Sequence, residues 1–573
     1  MEKSILDKAT LSRMIKAGAN KEPADLVIKN VQLLDVMSGE INSSDVAIVA
    51  DRIVGTHSTY VGKEEIDGAG RYCVPGFIDT HLHIESSLVT PLEFDRCVLP
   101  YGVTTVICDP HEIANVLGRE GIEYFLASSE RSIMDIKINL SSCVPATAFE
   151  TAGAELLIED LLPYRDHPSV IGLAEFMNFP GVLACAPEVI DKLHAFQDGH
   201  IDGHAPLLSG DDLNGYLAAA IRTDHEATSA QEAREKLKKG MAILIREGSV
   251  SKDLNALAEV LDENTSSFMG LCTDDRNPLD IHEEGHLDSL IRRLIAKGCP
   301  THHVYRAAGT SAARIFGLND RGMVAPGWKA DFVLLDSLEE CRVSDVIMSG
   351  ELVTNERFAQ REMVDAVGLS SMKAKPQTAE SFKVPVKPGR NLTPMMGVKP
   401  GLILTFREEG ALPVDNGFLQ PDIAQDAVQV SVVERHGING NIGHGFVKGF
   451  GLQRGAIGSS VGHDSHNITV IGATHEDMAV ATNRIIEMRG GFVVADKGKV
   501  VAELALPIAG LMSELPFEEV AHELEKLREA AHELGCVLPE PFLQVAFLAL
   551  PVIPHLKMTD RGLFDVDVFD FVD

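Results

Sequence analysis

Residues 75–83 read Pro75-Gly76-Phe77-Ile78-Asp79-Thr80-His81-Leu82-His83 and close an apolar run. Histidines spaced i and i+2 on a strand share one face, so both imidazoles can reach a single metal ion. A lone His-x-His is usually a pair of ordinary surface histidines. This pair follows a run patterned like a buried strand, and polar residues recur at the ends of later runs of the same kind. The recurrence decides for metal binding.

Apolar or β-branched runs fall near 74–80, 103–108, 136–142, 168–174, 199–203, 219–223, 242–247 and 268–273. Helical periodicity separates them; Leu287, Leu290, Ile291, Leu294 and Ile295 follow i, i+3, i+4, i+7 spacing, with Gly298 as a stop. Eight strands alternating with helices predict a parallel α/β barrel of the TIM type, a (β/α)8 fold whose chemistry gathers at the C-terminal strand ends.

Those ends can be read directly. Run one gives His81 and His83, run four Glu175, run five His204, run six His225 and run eight Asp274. Singly, each is better read as an ordinary loop residue. Together, in this order, four imidazoles and two carboxylates suffice for two divalent ions bridged by Glu175. Without a thiolate among them, the set suits Mn, Fe or Zn.

Run two ends in Asp109-Pro-His111-Glu112, three ionisable groups that are costly to desolvate unless they serve a ligand. They also read as a helix start, with Asp109 as N-cap and Glu112 completing a capping box. The two readings can coexist. His463 and His466, near the C-terminus, are read as packing or turn residues, with metal binding or a reach over the barrel mouth as the alternatives. Gly443-His-Gly445-Phe-Val-Lys-Gly449 misses a dinucleotide fingerprint by one residue and is discounted.

The 573 residues allow more than one core, and 51 Lys+Arg against 84 Asp+Glu give a net charge of −33. Such a surface makes nucleic acid and anionic membrane poor partners. Nine scattered cysteines without a Cys-x-x-Cys pair fit reduced thiols. No apolar signal segment or spanning stretch is evident, so a cytoplasmic protein is expected.

The string at 75–83 resembles the strand-one signature of the amidohydrolase superfamily, metal-dependent hydrolases on a distorted (β/α)8 barrel. Superfamily members commonly pair their flanking strands into a small β-sandwich. Here that implies a discontinuous domain of residues 1–73 and 322–360 around a barrel at 74–321. A linker at 361–388 and a C-terminal α+β domain at 389–573 would follow. Many binuclear members carry a carboxylated lysine after strand four, where this chain has Glu175; that departs from a typical dihydroorotase or hydantoinase.

Ile84-Glu85-Ser86-Ser87, the Asp109–Glu112 string, residues 462–467 (Gly-His-Asp-Ser-His-Asn) and residues 506–513 (Leu-Pro-Ile-Ala-Gly-Leu-Met-Ser) are more specific. With them nearly the whole chain resembles the bacterial adenine deaminases. The resemblance implies hydrolysis of adenine to hypoxanthine and ammonia by a metal-activated hydroxide. It favours manganese or ferrous iron, a small-molecule substrate and a homo-oligomer such as a dimer. Asp274 would move the proton, and His111 or Glu112 would donate to the purine ring, with Asp109 orienting them or the base. Adenosine deaminases place a glutamate where this chain has Leu207. The Pro-Cys-x-x-Cys zinc motif of nucleic-acid base deaminases is missing too. The alternatives are a cyclic-amide hydrolase or deacetylase on the same ligands, or a catalytically silent barrel serving as an assembly subunit.

Overall fold

Eight runs do pair in parallel into one sheet. They are Phe77–Leu82, Val103–Cys108, Asp135–Leu140, Val170–Phe176, His200–Gly203, Thr223–Asp224, Ala242–Arg246 and Met269–Cys272. The computed structural model describes residues 6–389, 391–402 and 404–572. The first strand lies between the second and the eighth, and the fifth and sixth stand at the two ends of the order. Arg222 N–H donates to Ile201 C=O across that gap at 3.1 Å, which brings the sheet close to a closed barrel. Strands two, seven and eight are buried at every position. Continuous apolar runs of this kind are what a sheet covered on both faces selects.

Residues on either side of the barrel share a second eight-stranded sheet. Strands from Ala24–Leu34 to Tyr72–Pro75 are joined by Phe332–Ser337, Arg342–Met348 and Glu351–Leu352. Phe332 pairs antiparallel with Pro75, so the strand entering the barrel is stitched to one that follows it. Ile28, Val46, Ile48, Phe332, Leu334 and Ile347 form one buried cluster on this sheet.

A third eight-stranded sheet lies near the C-terminus, with helices His475–Met488 and Phe517–Glu533. Phe517, Val520, Leu524 and Leu527 form the buried stripe of the second helix, as its periodicity predicts. Its first N–H groups lack intrahelical partners; Phe517 N–H finds one on the barrel, donating to Glu93 Oε1 at 2.7 Å. Further ties are Ser513 N–H to Leu88 C=O at 2.8 Å and Thr151 N–H to Asp560 Oδ1 at 2.9 Å. The C-terminal unit is thereby held over the mouth of the barrel. No helix among the described residues is long and apolar enough to cross a membrane.

Candidate active site

The register of strands one and eight sets the first part of the site. Asp274 N–H donates to His81 C=O at 3.0 Å, and His83 N–H to Asp274 C=O at 3.3 Å. Asp274 turns into the left-handed region (φ 53°), which a short polar side chain tolerates better than most. The three side chains therefore leave the rim together: Asp274 Oδ1 lies 3.3 Å from His83 Nε2 and 4.0 Å from His81 Nε2.

Glu175 sits at the centre. Oε1 is 3.8 Å from His81 Nε2 and 3.4 Å from His83 Nε2, while Oε2 is 2.7 Å from His204 Nδ1 and 3.3 Å from His225 Nε2. All six residues proposed from strand ends as metal ligands thus converge. Burial would raise the Glu175 carboxyl, but the His204 and His225 imidazoles hold it well below its usual range. Burial likewise opposes charge on Asp274, and His83 with Arg246 outweighs it, keeping that carboxyl low.

The donor set fits divalent metal. His83 Nδ1 faces the Asp109 carbonyl at 3.0 Å, which can only accept, so Nδ1 carries the proton and Nε2 offers its lone pair to the rim. His81 Nδ1 is held the same way by Asp202 Oδ2 at 2.9 Å. His81 Nε2 is buried without a hydrogen-bond partner. Outer carboxylate and carbonyl partners of this kind orient metal-ligating histidines. Three of the rim separations, His83 to Asp274 and to Glu175 and His225 to Glu175, match the roughly 3–3.5 Å edges of a shell built on bonds of about 2.0–2.2 Å.

Asp202 and Arg246 escaped the strand-end reading. Arg246 donates from Nη1 to Asp274 Oδ2 at 3.0 Å and to Glu226, and from Nε to Asp253 at 3.1 Å. It occupies one Asp274 oxygen and leaves Oδ1 toward the histidines. The signal existed: Arg246 is a charge at the end of an apolar run, as the ligands are, and Asp202 precedes His204 on strand five. Glu226, beside His204 and His225, was likewise passed over.

Asp109, His111 and Glu112 are buried beside this centre. The capping-box reading does not hold. Helix His111–Leu117 has Pro110 at its N-cap with no side-chain cap. Asp109 instead accepts from Ser141 Oγ at 2.8 Å and faces His111 Nδ1 at 2.9 Å. Leu207, 76% exposed, turns away from the rim and supplies no acid there.

The reading of His463 and His466 as packing residues needs correction. Both are buried against Glu112, His463 Nδ1 beside Oε1 and His466 Nε2 hydrogen-bonded to Oε2. Gly462 N–H donates to His466 Nδ1 at 3.2 Å, which places that ring's proton on Nε2. Burial pushes His466 down to about 4. Burial would depress His463 too, but the Glu112 and Asp275 carboxylates lift it to about 9. Asp464 completes the group, 3.8 Å from His111 Nε2.

A parallel barrel whose strand ends gather imidazoles and carboxylates defines a class, and the comparisons agree with it. A profile described as the amidohydrolase family matches residues 72–353, and one described as the adenine deaminase C-terminal domain matches residues 402–570. An adenine deaminase of Brucella abortus (strain 2308) is 62% identical over 565 residues, 99% of this chain and 97% of its own length. Adenine deaminase 1 of Rhizobium johnstonii is 61% identical over 562 residues, 98% of each chain. The barrel is of the metal-dependent amidohydrolase kind. The chain belongs to the adenine deaminase family.

Proposed function

We propose that this chain hydrolyses adenine to hypoxanthine and ammonia, with His81, His83, Glu175, His204, His225 and Asp274 holding two divalent metal ions. The observation that carries the reading is Glu175, whose two oxygens face different histidine pairs across one rim. Bound metal would supply the acidification and orientation of the attacking water, bringing its pKa to near 7. Manganese or ferrous iron suits this oxygen- and imidazole-rich set.

Asp274 Oδ1, the oxygen not held by Arg246, takes the water's proton as it attacks C6 and returns it to the departing amine. Attack builds charge on N1. His111 Nε2 is the donor to N1 in this reading, because Glu112 already accepts from His466, is paired with His463 and is held as a carboxylate. Burial works against a charged His111, but the Asp109 and Glu112 carboxylates hold its pKa well above the usual histidine range. Glu112 then accepts from a purine N–H, and Asp109 fixes the His111 ring. A pocket with such groups left unmet by a poorer ligand rejects it strongly.

In the same reading the division into residues 1–73 with 322–360, 74–321, a linker at 361–388 and 389–573 gives the barrel its metal site and the C-terminal unit its lid. The test is ammonia release from adenine by metal-loaded protein, set against ring opening of dihydroorotate or hydantoin. Deamination alone supports the proposal, and ring opening without ammonia release overturns it.

A further inference from the structure

Glu112 lies on the barrel, where His111 Nε2 stands 3.4 Å from its Oε1, yet two further imidazoles reach its oxygens from the C-terminal unit, His466 being 354 residues away in sequence. The loop that carries them is over-determined. Arg435, fully buried, donates from Nε to His466 C=O and from Nη2 to Ala509 C=O at 2.8 Å. Asn467 Oδ1 accepts from Arg435 N–H at 3.1 Å, and Asn467 Nδ2 donates to Thr151 C=O on the barrel side at 2.9 Å. His436 Nε2 donates to Ser465 C=O at 2.8 Å. The His463 ring stacks on Phe547 with centroids 4.7 Å apart.

Gly510 makes this packing possible. A Cβ there would lie 2.5 Å from Arg435 Nη1, and its φ of +72° is one that a side chain disfavours. The strings at 462–467 and 506–513 thus build one device. A carboxylate inside a protein keeps a fixed direction only if its lone pairs are satisfied by groups that are themselves fixed. Surface docking alone would not require two aligned imidazoles on one barrel carboxylate.

We infer that His463 and His466 are positioning residues of the active site, through which the C-terminal unit aims Glu112 at the substrate pocket. This rests on the reading that Glu112 faces the purine. Docking of the C-terminal unit then completes the catalytic machinery as well as covering it.

The test uses the full, metal-loaded chain. His466→Ala removes the donor, whereas His466→Gln keeps an N–H at the reach of Nε2. The expected loss in kcat for the Ala variant is about 10- to 100-fold, typical of removing a group that orients a functional one, with metal content unchanged. The Gln variant should recover most of it. In a Glu112→Gln background His466→Ala should cost less than about twofold more, since coupled residues are not additive. Near-native turnover of His466→Ala, or an equal loss in both backgrounds, overturns the inference. So does a Gln variant no better than Ala. If the Ala variant does not fold, His466→Gln against the shorter His466→Asn decides in the same way. Should Glu112→Gln itself turn over normally, the underlying placement of Glu112 against the purine fails instead.

Discussion

The metal rim and the Glu112 clamp lie side by side, yet they are assembled by opposite routes. The six rim ligands come from the ends of five barrel strands, His81 and His83 sharing the first, so chain order alone brings them to one circle. The clamp joins one barrel residue to a loop in another unit, and no strand or helix period relates them. A parallel barrel writes its site into the sequence at regular intervals. A docked unit writes its share in one short string, whose partner only folding reveals.

The comparison can be broken first at the rim. Glu175→Gln removes the carboxylate charge that faces His111 and the four rim histidines, and should lower both metal content and deamination, the latter on the order of 10³-fold or more. Full metal occupancy with native turnover would show that the rim does not depend on its centre. Asp274→Asn should keep metal through the histidines while losing the proton acceptor. A fall in kcat of about 10²–10⁴-fold is expected, and a rate close to native in the loaded variant would remove Asp274 from proton transfer.

A smaller effect belongs one layer out. Asp202→Asn should weaken metal affinity by about 10- to 100-fold by loosening the His81 ring, read by competition with a chelator. Unchanged affinity would make Asp202 a plain sheet residue. The smallest effect is at the clamp. His463 is raised to about 9 against about 6.5 in an unfolded chain, so its stabilisation is complete below pH 6.5 and lost as pH rises through 9. The difference in Tm between the native chain and His463→Phe should therefore shrink across that window; a constant or growing difference contradicts the ion pair.

How much was legible follows from the same contrast. His81, His83, Glu175, His204, His225 and Asp274 were readable because each closes an apolar run. Arg246 obeys the same rule and was passed over because a cation is not a metal ligand; its value lies in holding Asp274. Asp109 and Glu112 matched a capping box in spacing, but Ser141 and His111 took the Asp109 carboxylate and left Pro110 at the cap. His463 and His466 showed only a polar turn in sequence. Their meaning depends on Arg435 and Gly510, which align the loop from elsewhere in the same unit.

The central claim is hydrolytic deamination at a two-ion rim. Metal-free protein titrated with Mn²⁺, with ammonia release from adenine followed at each addition, tests it most directly. The account predicts activity that rises to a plateau at two equivalents per chain. A plateau at one equivalent, or ammonia release that ignores added metal, would contradict it.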